Sequence, residues 1–247
     1  MPGGFDVVEK SKIEFKPPEF LCDKSISRTI EAPLPASHHF MAICGPAGSG
    51  KTSLMLGMLT SKQMYRRAFH HVHLVMPEHS RGSIKNSPFE GHDKSYNDLD
   101  WSTLNKIREA VEAASKKKQY SLIIMDDVGA ALKDKEIQRL LKQLIWNRRH
   151  LRTSIWIMAQ SFNSMPMPIR KSISHLAMYK PNNNKEAKLL FDELVYVEKE
   201  DATKLMDFVF EKRHDFLFVD IAGGTFYKNF DRIEQEGHHA PEKEKGE

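Results

Sequence analysis

The sequence predicts an α/β fold, a mainly parallel central sheet flanked by helices, and three observations carry that prediction. Short apolar runs alternate with helical patterns through the middle of the chain, the pattern of a parallel sheet wrapped by helices. A glycine-rich loop, Gly45-Pro46-Ala47-Gly48-Ser49-Gly50-Lys51-Thr52, separates the first such run from the first helical pattern. A later run, Leu122-Ile123-Ile124-Met125, is apolar throughout and terminates in Asp126-Asp127. An uninterrupted apolar strand is one buried on both faces.

Composition sets the outer limits. The 247 residues are 40% hydrophobic and 28% charged, which excludes disorder as the main state. The length suits one or two domains, and a single core suffices. No run approaches the roughly 18 apolar residues that cross a bilayer. The start, Met1-Pro2-Gly3-Gly4-Phe5-Asp6, has neither the basic nor the apolar region of a secretory signal, so neither secretion nor membrane insertion is expected. Two cysteines, Cys22 and Cys44, make neither a disulfide framework nor a metal cluster and fit a reducing compartment. A net charge of +4 permits a polyanionic partner through a local patch without requiring one. The twelve histidines are scattered and match no metal-binding spacing.

The elements follow in order. Residues 1–37, interrupted by Pro2, Pro17, Pro18, Pro33 and Pro35, read as an extended arm or small β element packed on a core built later. The first strand is Phe40–Cys44, and after the glycine loop a helix is expected over 51–61. A second strand falls at 71–76. The stretch 77–100 is polar and long for a strand-to-helix connection, so it is either mobile or functional. Asp100 caps a helix whose Leu104, Ile107, Val111 and Ala114 keep helical rhythm. The third strand is 120–125. The next helix places Ile137, Leu140, Leu141, Leu144 and Ile145 on one side and Lys135, Arg139, Lys142 and Arg149 on others. Strand Thr153–Ala159 ends at Gln160. A strand at His175–Tyr179, helices at 185–194 and 200–212, and a last strand at 215–221 broken by Gly223-Gly224 complete the folded part, 38–232. Residues 233–247, with Gln235 to Glu247 nearly devoid of apolar side chains, are expected to form a mobile tail.

The glycine loop has the spacing G-x-x-x-x-G-K-[ST] of a phosphate loop. Backbone N–H groups must turn inward around a phosphate chain, and Gly48 and Gly50 remove the Cβ atoms that would block close approach. The loop opens a helix, so unsatisfied amides and the positive dipole end face the same anion. Lys51 is expected to contact the β- and γ-phosphates and the Thr52 hydroxyl to ligate magnesium, with Ser53 closing the nucleotide-binding stretch. A chance match would arise about 1% of the time in a chain of this composition, and its place between strand and helix makes coincidence rarer still.

Carboxylates at the C-terminal end of a parallel strand lie where open α/β sheets bind ligands. Asp126 is expected to hold magnesium directly or through water, and Asp127 to take a proton from the attacking water or to orient it. A strand-end Asp pair by itself is more often a cap and turn; the phosphate loop upstream tips the balance. Gln160, at the rim of the next strand, either senses the γ-phosphate and positions water or simply ends the strand. Arg148, Arg149 and Arg152 lie before that strand, at the opposite end of the sheet. They cannot reach their own site but could reach a neighbour's across a ring interface, unless they only complement the helix dipole.

Taken together, these residues resemble the FtsK/HerA superfamily, and within it the genome-packaging ATPases of large double-stranded DNA viruses and virophages, the poxvirus type. The segment Arg213-His214-Asp215-Phe216-Leu217-Phe218-Val219-Asp220, with Phe226-Tyr227-Lys228-Asn229-Phe230, is also similar to that branch. The resemblance spans about residues 38–232. It implies an additional-strand, RecA-like P-loop ATPase that binds ATP and Mg2+ and assembles as a ring, pentamer or hexamer. It also implies threading of double-stranded DNA into a preformed capsid, with capsid or portal-like vertex proteins as partners, in the host cytoplasm at the viral assembly site or associated with the virion. Lys51 and Thr52 then belong to Walker A, Asp126 and Asp127 to Walker B, Gln160 to the sensor, and Arg149 best matches the arginine finger, with Arg148 and Arg152 close by. The second Walker B acid is Glu in the cellular pumps and Asp here, as in the viral branch.

Candidates for DNA contact are Arg81, Lys85 and Lys94 in the polar stretch and Lys116-Lys117-Lys118 after the following helix. A charge run is more often a solvated face. Two rival functions remain: a small-molecule kinase, which would need an arginine-bearing lid and an acceptor pocket, and a nucleotide-gated scaffold, which would have no use for Asp127.

Overall fold

The computed structural model of the chain describes residues 26, 30–84, 89, 92–194 and 199–234, the side chains of 184 and 199 excepted. The strand that comes first in the sequence lies near the middle of the sheet. β1 (Phe40–Cys44) is buried at all five positions, paired in parallel with β5 (Thr153–Ala159) on one side and β6 (His175–Tyr179) on the other. Its side chains alternate between two cores, Phe40, Ala42 and Cys44 in one and Met41 and Ile43 in the other, the period-two pattern of a strand covered on both faces. β4 (Ser121–Asp126) joins β5 to β2 (His71–Val75), again in parallel.

The helices divide between the two faces. α1 (Lys51–Thr60) contributes Met55 and Met58 to one core. α3 (Trp101–Lys116) and α4 (Lys135–Asn147) cover the other with the apolar residues that their periodicity picks out. Each fully buried Leu or Ile there contributes roughly 1.5–3 kcal/mol relative to solvent. Both helices start at an aspartate: Asp100 accepts from the Thr103 N–H at 2.6 Å, and Asp134 from the N–H groups of Glu136 and Ile137 at 2.8 and 3.0 Å. α5 (Met167–Arg170), α6 (Asn184–Leu194) and α7 (Lys199–Val209) add Ile169, Leu190, Phe191, Ala202 and Val209 to the same core.

Three expectations need correction. The stretch 77–100 is not only loop: it holds a short helix, α2 (Glu78–Gly82), and a two-residue strand, β3 (Ser95–Tyr96), that pairs in parallel with β2 at the sheet edge. The helix expected to reach Lys212 stops at Val209, and the chain turns so that the Lys212 N–H donates to Asp215 at 2.8 Å. The strand β7 (Phe216–Asp220) is not the last. Gly223-Gly224 form a turn, Gly224 at φ 60, which reverses the chain into β8 (Thr225–Lys228) and β9 (Asp231–Ile233). Among the described residues the sheet has nine strands in the order β3-β2-β4-β5-β1-β6-β7-β8-β9, with antiparallel pairing from β6 outward.

Most of the N-terminal arm and, from residue 235, the expected tail lie outside the described residues, as do Cys22 and Lys85. Where the arm is described it packs: Leu34 is buried, and the Tyr65 hydroxyl donates to the Pro35 carbonyl at 3.0 Å.

At the N-terminal ends of β1 and β6, His38, His39 and His175 sit largely buried. The His39 Nδ1–H donates to the Ser37 carbonyl and Nε2 accepts from the Trp156 indole, both at 2.8 Å, so this ring is neutral. Burial lowers the pKa values to about 4 for His38, about 3 for His39 and about 4 for His175, where Asp220 acts in the opposite direction. These imidazoles resist protonation when folded and not when unfolded, so the unfolded chain binds more protons below its pKa of about 6.5. Stability is therefore expected to be full above about pH 6.5 and to fall as the pH drops toward 4, each imidazole costing at most about 1.4 kcal/mol per pH unit. Urea unfolding midpoints measured from pH 7.5 to 4.5 would show the decline; a flat profile across that window would contradict it.

Candidate active site

The phosphate loop connects β1 to α1 and is shaped by close approaches that only glycine permits. A Cβ on Gly45 would lie 2.7 Å from the Tyr179 Cβ and 2.8 Å from the Ser49 Oγ. Gly48 and Gly50 have φ of 72 and 113, in the left-handed region that side chains avoid. Gly50 is the N-cap of α1 and supplies no side-chain cap, and the first turn carries no acid. The amides at this helix start are thus left for an external anion.

Lys51 is half-buried and arches back over its own loop, its Nζ donating to the Gly45 carbonyl at 2.6 Å and the Pro46 carbonyl at 2.9 Å. Burial lowers its pKa, opposed by the carboxylates of Asp126 and Asp127. Asp126, the last residue of β4, has its pKa raised by burial, with Lys51 acting against the shift and Asp127 adding to it. The buried Ser49 Oγ has no partner. Asp127 is exposed, at φ 55, where the chain bends sharply off the strand.

Lys51, Thr52, Ser53, Ala47, Gly48, Asp126, Asp127 and Gln160 all line one groove of about 540 Å3. Three segments of the chain, the phosphate loop and the ends of β4 and β5, therefore place the sequence-predicted groups together. Of the rest, Pro46 and Ser49 line a second groove of about 400 Å3, which Ala47 and Gly48 also border, while Gly45 and Gly50 act through the backbone. The first groove also includes Met76, Ser80, Ser83 and Ile84, from the segment after β2. Sequence reasoning did not single these out; the only signal was the length and polarity of 77–100. The hydroxyl of Thr52 and the carboxylate of Asp126 are hard oxygen donors of the kind magnesium takes. No group of three His, Cys, Asp or Glu among the described residues could hold a metal alone, so these donors fit a metal shared with a phosphate ligand.

Arg149 is not in this groove. It lies just before the start of β5, whereas Gln160 follows its end, and seven strand residues separate the two by about 20 Å. The three arginines have different surroundings. Arg148 is half-buried and donates to the Ile145 carbonyl at 2.9 Å, and Arg152 lies 5.8 Å from the centre of the Tyr120 ring. Arg149 is exposed. Among the basic candidates, Arg81 donates to the Asn97 side chain and Lys94 contacts the His71 Nδ1 at 2.5 Å, while Lys116, Lys117 and Lys118 are exposed at the far end of α3.

A family model described as "Poxvirus A32 protein" matches residues 30–233. The DNA packaging proteins OPG160 of variola virus and of vaccinia virus are each 24% identical over 182 residues, covering 68% of this chain and 63% of theirs. The chain thus spans less than two thirds of the length of these relatives. Among solved structures, the genome packaging NTPase B204 of Sulfolobus turreted icosahedral virus 2, in complex with AMPPCP, aligns with a TM-score of 0.57 at 17% identity. That alignment covers 77% of this chain and 96% of the other. An EssC ATPase from Geobacillus thermodenitrificans aligns with a TM-score of 0.52 at 14% identity, covering 80% and 41%. These likenesses establish the P-loop ATPase fold.

Two glycines in the same part of the chain should respond oppositely to alanine. Gly45→Ala drives a Cβ into Tyr179, which is only 4% exposed and pinned in β6, and should destabilise by about 1–3 kcal/mol while displacing the phosphate loop. Gly57→Ala, in α1 with nothing within 4 Å of the added carbon, should stabilise by up to about 1 kcal/mol. Denaturant titration of both variants checks the contrast, and equal effects would refute it.

Proposed function

The chain belongs to the poxvirus A32 protein family, and from that membership we propose that it hydrolyses ATP to drive double-stranded DNA into a preformed viral capsid. The supporting observation is that Lys51, Thr52, Asp126, Asp127 and Gln160 converge on one groove at the mouth of the phosphate loop. The named relatives are DNA packaging proteins, and the place of action that follows is the viral assembly site in the host cytoplasm or the virion.

In this proposal the amides of the loop and the Lys51 ammonium take the phosphate chain, exchanging the Gly45 and Pro46 carbonyls for phosphate oxygens. Thr52 and Asp126 would hold magnesium, which when bound offsets charge on the phosphates. Asp127, exposed to solvent at the strand end, accepts the proton of the attacking water or fixes its direction. The Gln160 amide lies on the same groove and can donate to a γ-phosphate oxygen or hold that water. Apart from Lys51, no Lys or Arg lines the groove among the described residues. Charge developing on the γ-phosphate therefore calls for a further cation, and Arg149 of an adjacent copy in a ring is the accessible choice. Capsid or portal-like vertex proteins complete the set of proposed partners.

The test is the ATPase rate with and without linear duplex DNA. Stimulation by DNA is expected; phosphate transfer to a small acceptor would favour a kinase, and a flat low rate a scaffold. Lys51→Ala should lose nucleotide affinity. Asp127→Asn should keep affinity and lose on the order of 10²–10⁴ in turnover. Arg149→Ala should lose on the order of 10³ and regain activity when mixed with Asp127→Asn subunits, because some interfaces then pair an intact base with an intact finger. Absence of that rescue would remove Arg149 from the reaction.

A further inference from the structure

The phosphate loop has a second neighbour, the turn at residues 212–215 between α7 and β7, with no role in the proposed reaction so far. The His214 Nδ1 lies 2.8 Å from the Ser49 carbonyl, 165 residues away in sequence. A carbonyl only accepts, so Nδ1 carries the hydrogen and donates. His214 makes this contact from φ 73, in the left-handed region that costs most side chains energy and that histidine, like asparagine and aspartate, enters more often than others.

The turn is braced by Asn229, which follows β8 and lies beside Phe216. Asp215 accepts from the Lys212 N–H at 2.8 Å and from the Asn229 side chain at 3.3 Å. Asn229, itself at φ 58, accepts from the Phe216 N–H at 3.0 Å and donates its own N–H to the Phe216 carbonyl at 2.8 Å. Asn229, just after β8, thus holds the turn that carries His214, and the turn and residues 46–49 together line the groove of about 400 Å3.

We propose that His214 is a positioning residue for nucleotide binding, holding the Ser49–Gly50 peptide so that its amide faces the phosphates. The reason lies in peptide geometry. In a trans peptide the C=O and the following N–H point in opposite directions. Fixing the Ser49 carbonyl outward on His214 turns the Gly50 N–H the other way, and that N–H has no main-chain acceptor among the described residues. Without the imidazole, glycines on both sides of Ser49 leave this peptide unit free to rotate, and the cradle loses a preset donor. Because His214 is exposed, its hydrogen bond adds little to global stability; its effect is local to the loop.

The inference rests on the nucleotide reading above, and the experiment separates the two. Mg-ATPγS is titrated calorimetrically into the full chain and into His214→Ala, His214→Gly and His214→Asn, with melting temperatures recorded alongside. Asparagine tolerates the left-handed backbone and keeps a short side-chain donor; glycine relieves the strain and removes the donor. His214→Ala and His214→Gly should each bind about tenfold more weakly, the loss of one well-placed hydrogen bond. His214→Gly should melt at or above the wild-type temperature, and His214→Asn should bind within about threefold of wild type. In steady state the first two should raise KM with kcat largely kept. If His214→Gly binds like wild type, or His214→Asn is no better than His214→Ala, the assignment to His214 is overturned while the nucleotide site stands. If the unaltered chain fails to bind Mg-ATPγS, both fall together.

Discussion

A helix that begins in the middle of an α/β sheet exposes amides that no other part of the helix can satisfy, and how they are satisfied decides what the sheet is for. α3 and α4 close this gap with Asp100 and Asp134. α1 does not: Gly50 offers no side chain, and the first turn carries no acid. Everything else near the loop is consistent with keeping that end open for an anion. Tyr179 presses on Gly45 and Gly50, Ala159 accepts from the Gly45 N–H at 3.1 Å, and Lys51 occupies the loop carbonyls with its ammonium. The arrangement gives up capping energy on the order of 1 kcal/mol at one helix and gains a preformed phosphate cradle.

Much of this was legible in the sequence because burial imposes period. β1, β4 and β5 are buried along nearly their whole length, so their apolar runs stand out. The amphipathic faces of α3 and α4 are those that their heptad-like spacing marks. What stayed hidden had no period to show. β3 is two residues long, and β8 and β9 lie at an edge where side chains are half-buried or exposed. Short edge strands carry little apolar signal. The role of the 77–100 stretch in lining the groove depends on where α2 ends up, which is a tertiary fact.

The candidate site divides the same way. Lys51, Thr52, Asp126 and Asp127 belong to local motifs that can be read from spacing, and they line one groove. The arginines do not form a motif. Arg148, Arg149 and Arg152 look alike in sequence, and only burial and contacts distinguish them: one is half-buried and donates to the Ile145 carbonyl, one lies over a tyrosine ring, and one is solvent-accessible. His214 was unreadable for a related reason, since its partner is Ser49 and no local pattern links positions so far apart.

The left-handed backbone at Asp127 bears on which acid can stand there. Aspartate tolerates that conformation better than longer side chains because its carboxylate can bond locally to the main chain. Lengthening the residue to glutamate would move the carboxylate outward by one methylene and add torsional cost at the bend. Backbone curvature and side-chain reach are therefore tied together at this position, and a lineage that changes one has to rebuild the other.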